Sequence, residues 1–189
     1  MGRLQFTRRI TVREFETHPS DKRSELVRGE VRLNPPPGTR HGLVALAVGR
    51  MLSEHVMSRR LGLVFGDGTG FELPNLAATV RGPDVSFVRR EQLPPEGIGD
   101  GWLQVAPDLA VEVLSPSQSV ADLDEKISDY LTAGTRLIWI VDPAERRVGV
   151  IETGSQLRWL GESDTLDGGA VLPELTAPVA DFFDGLAPR

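Results

Sequence analysis

The chain contains no cysteine among its 189 residues. Disulfides, thiolate metal sites and a cysteine nucleophile are therefore excluded, and any metal chemistry must use oxygen or imidazole ligands. The first nine residues, Met1 to Arg9, lack the apolar stretch of a signal peptide. No later run is long and apolar enough for a membrane span, so no membrane partner is expected and a cytoplasmic protein fits. An excess of positive charge is missing too. The formal net charge is −6, which argues against a protein that coats nucleic acid through a broad basic surface. It leaves room for a nuclease, because acidic metal ligands add negative charge of their own. No internal repeat and no linker divides the chain. A composition of 40% hydrophobic and 25% charged residues is ordinary globular usage, so one domain over 1–189 is expected, with a core at about 41–143.

Against that background Glu112 stands out. It interrupts the otherwise apolar run Leu109 to Leu114, which is bounded by Pro107 on one side and Ser115-Pro116-Ser117 on the other. A short β-branched run between turn signals reads as a strand buried on both faces. Alternation puts Ala110, Glu112 and Leu114 on one face and Leu109, Val111 and Val113 on the other. Either face is buried, and an ionised carboxylate there costs several kcal/mol. A cation, a basic side chain or a proton must compensate.

A second acid stands at the start of another strand. Arg81-Gly82-Pro83-Asp84 leads into Val85-Ser86-Phe87-Val88, and proline is tolerated at a strand entrance. Asp84 shares the face of Ser86 and Val88; by itself it also reads as a turn-forming Asp after Gly-Pro. The third group is Lys126, in a helix expected from Ser119 to Gly134. Ser117, Ser119 or Asp122 can cap that helix and Gly134 can end it. Leu123, Ile127, Tyr130 and Leu131 form its apolar stripe. Lys126 sits at the margin of the stripe, where its stem can cross the core edge and bring the ammonium inward. Glu125 and Asp129 fall further round, toward solvent.

Other segments give a coarse order. Thr11 to Thr17 reads as a short helix, Glu25 to Leu33 as a hairpin turning at Arg28-Gly29, and Asn34 to Thr39 as a proline-rich loop. His41 to Leu61 carries the longest helical pattern, with Leu43, Val44, Ala47, Met51 and Val56 on its buried side. Strands follow at Leu63 to Phe65 and Gly70 to Leu73, then the Asp84 strand, the Glu112 strand, the Lys126 helix and a strand at Arg136 to Val141. A hairpin at Val148 to Ile151 and Leu157 to Leu160, then a short helix near Val179 to Phe183, complete the order. The result is an α/β protein: a mixed sheet flanked by helices, with hairpins added at both ends. The passage from the Glu112 strand through the Lys126 helix to the next strand reads as a crossover between parallel strands.

Four strings carry a family resemblance: Gly82-Pro83-Asp84-Val85-Ser86-Phe87-Val88; Pro107 through Ser117; Asp122-x-x-x-Lys126-x-x-x-Tyr130-x-x-Ala133-Gly134; and Trp139-Ile140-Val141-Asp142-Pro143. In this order they resemble the PD-(D/E)XK nuclease superfamily and, more narrowly, its Uma2 (DUF820) restriction-endonuclease-like family, over roughly Glu25 to the C-terminus. The resemblance implies a restriction-endonuclease-like core, Asp84 and Glu112 as metal ligands, and Lys126 as the active-site lysine. The wider superfamily carries its lysine two positions after the acid, where this chain has Leu114. The resemblance to Uma2 implies that the lysine has moved to the following helix.

The chemistry is coherent. Two carboxylates about 5 Å apart repel by roughly 3 kcal/mol at an effective dielectric near 20, and a divalent cation reverses that cost. Oxygen ligands favour Mg²⁺ or Mn²⁺. Glu30 and His41 form a second tier of candidates, as a hairpin acid and a helix-start histidine. The expected function is metal-dependent hydrolysis of DNA phosphodiesters, and a two-fold homodimer would suit double-strand cleavage. The alternative is an inactive nucleic-acid-binding or regulatory module on the same fold. A metal-free protein in which Glu112 merely pairs with Lys126 is the remaining reading.

Overall fold

The computed structural model describes residues 8–17, 24–116 and 118–187. Helix α1 (Val12–Glu16) is one short turn fixed by a capping box, in which Thr11 and Glu14 satisfy each other's backbone N–H groups. Strands β1 (Ser24–Val27) and β2 (Glu30–Leu33) form the expected hairpin. Arg28 and Gly29 both have positive φ, 50° and 83°, the backbone that a two-residue turn between twisted strands requires. Ser117, one of three candidate caps for the Lys126 helix, lies outside the described residues; Ser119 caps it, accepting from the Asp122 N–H.

The central sheet has six strands in the order β10-β9-β8-β7-β6-β3. These are β3 (Gly62–Gly66), β6 (Val85–Arg89), β7 (Leu109–Val113), β8 (Leu137–Asp142), β9 (Arg147–Glu152) and β10 (Arg158–Gly161). Only β7 and β8 pair in parallel, and α3 (Val120–Ala133) connects them, as the crossover reading requires. The other pairs are antiparallel. Every residue of β7 and β8 is buried, which explains why both strands read as nearly continuous apolar runs.

Two apolar layers enclose this sheet. On one face, Leu109, Val111 and Val113 pack with α2 (Thr39–Arg59) and with the C-terminal residues Leu166, Leu172, Phe182 and Phe183. On the other, Ala110, Ile138 and Ile140 pack with Tyr130 and Ala133 of α3 and with Phe71 and Leu103. Glu112 therefore belongs to the α3 face.

A second sheet, in the order β2-β1-β5-β4, joins the N-terminal hairpin to β4 (Phe71–Glu72) and β5 (Val80–Arg81). Strand β5 was not legible in sequence, because a two-residue strand has no periodicity. Between the β9–β10 hairpin and the 3-10 turn Val179–Phe183, where no element was expected, lies a further small hairpin, β11 (Thr165–Asp167) with β12 (Thr176–Pro178).

Three helix assignments need correction. The buried stripe of α2 is His41, Val44, Val48, Leu52, His55 and Val56; Leu43 is exposed, and Ala47 and Met51 are only half-buried. In α3, Leu131 is exposed while Asp129 is buried. Asp129 faces the second sheet, where arginines meet it, so a polar partner rather than hydrophobicity decided which side turned inward.

The cleft-side residue Trp102 is seated on Gly70 and stacked on Phe15 at 5.7 Å between ring centroids. A Cβ at residue 70 would run into the indole ring. Gly70→Ala should cost about 1–3 kcal/mol in urea unfolding and alter the tryptophan emission of the folded state, as expected for overpacking. An unperturbed spectrum with full stability would mean that Trp102 does not depend on this close approach.

Candidate active site

Antiparallel pairing of β6 and β7 sets Val85 opposite Val111 and Ser86 opposite Ala110. Continued by one residue, the register sets Asp84 opposite Glu112. The Asp84 N–H donates to the Val111 carbonyl at 3.0 Å, and its Oδ2 accepts the Val113 N–H at 2.6 Å. The aspartate side chain thus replaces a strand carbonyl where β6 begins.

Glu112 is only 2% exposed. Each of its oxygens has a donor from α3: Lys126 Nζ lies 2.9 Å from Oε2, and the Tyr130 hydroxyl donates to Oε1 at 2.8 Å. Lys126 and Tyr130 lie four residues apart, one above the other on the same helical face. The parallel β7–α3–β8 passage lays that face over the strand that carries Glu112. The structure therefore brings Asp84, Glu112 and Lys126 together.

His41, at the start of α2, enters the same place. Its Nε2 is 3.1 Å from Asp84 Oδ2, and its buried Nδ1 has no hydrogen-bond partner among the described residues. Glu30 does not join. It is exposed on β2, with Arg9 3.6 Å from its carboxylate.

The acid supplied by the N-terminal hairpin is instead Glu25, which is buried on β1. Its Oε1 lies 3.2 Å from Lys126 Nζ and accepts the Gly82 N–H at 3.0 Å, while Oε2 accepts from Arg81 at 3.0 Å. Arg81 is 2% exposed and also donates twice to Asp129 Oδ2, at 2.9 and 2.6 Å. Arg28 reaches Asp129 Oδ1 at 2.5 Å, and Arg28 and Arg32 both pair with Glu125. These contacts form an ionic seam between the second sheet and α3.

Glu25, Arg81 and Asp129 were missed because each looks ordinary in sequence: a hairpin acid, a pre-turn arginine and a helix-surface acid. One usable signal was present. The chain has only two lysines, at positions 22 and 126, among its 21 basic residues. In a chain that otherwise uses arginine, a lone lysine between carboxylates is a choice of a compact ammonium over a planar guanidinium.

The electrostatics follow from charge count and burial. Lys126 is shared by Glu25 and Glu112, Arg81 by Glu25 and Asp129, Arg28 also meets Asp129, and Asp84 has His41 beside it. Burial pushes the Glu112 carboxyl up to about 7; Lys126 pulls it down, and the charges of Asp84 and Glu25 add to the rise. Burial also acts to raise Glu25, but Lys126, Arg81 and the Gly82 N–H more than offset it and hold that carboxyl below its ordinary value. Burial opposes the charged form of His41, yet the hydrogen bond and charge of Asp84, aided by Asp67 and Glu112, raise its pKa. For Lys126, burial is outweighed by Glu112 and Glu25, so the ammonium is held charged. Among the described residues Asp84 and Glu112 have fewer cationic partners than Glu25 and Asp129, so negative charge is least compensated there.

A cleft of about 460 Å³ opens over part of this cluster. Its floor carries Glu25, His41, Asp84, Glu112 and Lys126; Pro35 to Pro37 and Pro116 line its walls. Among the described residues, no three His, Asp and Glu side chains are grouped so as to hold a metal ion by themselves. Asp84 and Glu112 are the pair of carboxylates on neighbouring strands, and two carboxylates completed by water and substrate would make an ordinary Mg²⁺ set.

A mixed sheet between two helices, with acids at the ends of adjacent strands and a lysine converging on them, defines a restriction-endonuclease-like fold. Residues 12–180 match the Uma2 family, described as "Putative restriction endonuclease", and the chain belongs to that family. It is similar to a solved structure, the 1.96 Å crystal structure of "a putative nuclease belonging to DUF820" from Anabaena variabilis ATCC 29413. The two are 24% identical, with a TM-score of 0.82 over 92% of this chain and 97% of that one. At that identity the likeness is one of fold. No curated protein matches the chain. Among the described residues, no helix is long and apolar enough to cross a membrane.

The raised Glu112 pKa has a consequence for the metal-free protein. Its folded value near 7 lies above the ordinary 4.5, so between those values the native state holds a proton that the unfolded chain has lost. Stability should therefore fall as pH rises through that window, by about a few kcal/mol. Denaturant titrations in chelator at pH 5 and pH 7.5 read this loss. Glu112→Gln should flatten it, and an equal loss in the variant would place the titrating group elsewhere.

Proposed function

We propose that this chain is a divalent-metal-dependent endonuclease that hydrolyses DNA phosphodiester bonds. The observation that carries the reading is the convergence of Asp84, Glu112 and Lys126 at the floor of one cleft, where negative charge is least compensated. Asp84 and Glu112 would hold Mg²⁺ or Mn²⁺. When bound, the metal polarises a phosphate oxygen and lowers the pKa of a water. The protein's own groups do the rest. Lys126 donates to the attacking water or to the oxygens of the pentacovalent phosphorus, where negative charge develops. The Val113 N–H and His41 orient Asp84. Tyr130 orients Glu112, and its phenol stays protonated because burial and the charges of Glu112 and Glu25 raise its pKa.

The uncompensated acid also bears on substrate binding. DNA affinity should be weak or partner-assisted, because the cleft offers phosphate few cations. A two-fold dimer would present two such centres to the two strands. The second reading is a binding module without turnover. The Lys126–Glu112 ion pair fits instead the third reading, a metal-free protein in which the two residues merely pair.

The deciding experiment is cleavage of supercoiled, linear and single-stranded DNA with Mg²⁺ or Mn²⁺. Asp84→Ala should abolish turnover. Lys126→Ala should lower it about 10²-fold or more while the protein stays folded. Under the binding reading, Lys126→Ala would instead reduce affinity modestly and lower the salt slope by about one. A wild-type protein that cleaves nothing under these conditions, yet binds DNA, would replace the enzyme with the module.

Metal binding has its own readout. Mg²⁺ or Mn²⁺ should raise the melting temperature of the wild type by mass action on the folded state, and Glu112→Gln should remove that rise. Equal shifts in both proteins would exclude Glu112 as a ligand.

A further inference from the structure

Lys126 comes to the cleft from a helix on a long flexible stem, whose rotamer freedom is lost when the ammonium is fixed in one place. Glu112 supplies one anchor for the ammonium, at 2.9 Å. A second comes from outside the central sheet: Glu25, on the hairpin strand β1, at 3.2 Å. We propose that Glu25 is a positioning residue for Lys126, a fixed anion that holds the ammonium in one place in the cleft. The role in turnover rests on the nuclease reading; the hold on the lysine does not.

Three observations support the assignment. Glu25 is itself locked, with Oε2 on the enclosed guanidinium of Arg81 at 3.0 Å and Oε1 on the Gly82 N–H at 3.0 Å. A carboxylate held by a cation and a backbone donor can then set the place of a third group. Second, Arg81 does not depend on Glu25 alone, because Asp129 takes two of its hydrogen bonds. The contact to Lys126 is thus more than a by-product of neutralising Arg81. Third, two cations and an N–H already occupy the oxygens of Glu25, which leaves it poorly suited to bind a metal. Among the described residues Asp84 and Glu112 each meet a single cationic partner, the His41 ring beside Asp84 and Lys126 beside Glu112, although donors already reach both carboxylates. The lowered pKa of Glu25, with burial outweighed by Lys126, Arg81 and Gly82, agrees with a permanent anion.

The test uses the full chain and Glu25→Gln, which keeps the shape and removes the charge. With two lysines in the sequence, amine labelling followed by mass spectrometry reads Lys126 directly, in chelator and without activity. Lys126 should label about tenfold faster in Glu25→Gln, the effect of one charge-assisted hydrogen bond. On DNA with Mn²⁺, kcat should fall about tenfold or more. The KM for DNA and the metal concentration giving half of the thermal shift should stay within about twofold. The fall should vanish in a Lys126→Ala background, because a residue that acts through another adds nothing once that other is gone.

If Glu25→Gln does not fold, Glu25→Asp keeps the charge but draws the carboxylate back by one methylene from Lys126 and Arg81 alike; Asp129 still holds Arg81, and the variant is read in the same way. Unchanged labelling of Lys126 in a folded variant overturns the proposal. So does a loss of kcat that persists in full without Lys126. If the wild type cleaves nothing, the nuclease reading fails, and the labelling rate alone decides whether Glu25 holds the lysine.

Discussion

The site depends on one shared ammonium. Lys126 lies between Glu112 of the central sheet and Glu25 of the second sheet, so a single cation from α3 ties two sheets and a helix together. Its burial raises the stakes. A carboxylate enclosed without a partner costs several kcal/mol, and without the lysine Glu112 would keep only the Tyr130 hydroxyl, whereas Glu25 would keep Arg81 and the Gly82 N–H.

Arg81 extends the same logic outward. It is enclosed between Glu25 and Asp129, while Arg28 and Arg32 complete the seam at its edge. Buried ion pairs of this kind seldom add net stability over apolar packing, because desolvation consumes most of the attraction. Their value here is geometric. An apolar seam would allow the hairpin to settle in several positions on α3. A guanidinium that must reach two carboxylates allows far fewer, and the cleft walls inherit that definition.

The two buried glutamates show how placement of charge, rather than burial alone, decides a carboxyl's state. Both are almost completely enclosed. Glu25 meets two cations and a backbone N–H and is held ionised; Glu112 shares one cation, faces Asp84 and is pushed up to about 7. The local deficit of positive charge is concentrated at Glu112 and Asp84, on the cleft floor. Membership in the Uma2 family and the endonuclease-like fold give that deficit a chemical context, and the geometry gives it an address.

The sequence by itself determined the elements whose signals are local. Burial of both faces made β7 and β8 continuous apolar runs, Ser119 and Gly134 punctuated α3, and the Arg28-Gly29 turn announced the first hairpin. Glu112 was legible because an acid in an apolar strand is a local contradiction, and Asp84 because it stood at a strand entrance. What the sequence could not determine was where polar groups find partners across the chain. Asp129 read as solvent-facing because its burial depends on arginines 48 and 101 residues away. Glu25 read as an ordinary hairpin acid, and Glu30, five residues later, drew attention that the structure gives to Glu25 instead. Periodicity records which face is apolar; it holds no information about which buried charge will meet which. Only the tertiary structure decided that, because the cost of enclosing a charge is settled by the one partner that arrives within about 3 Å.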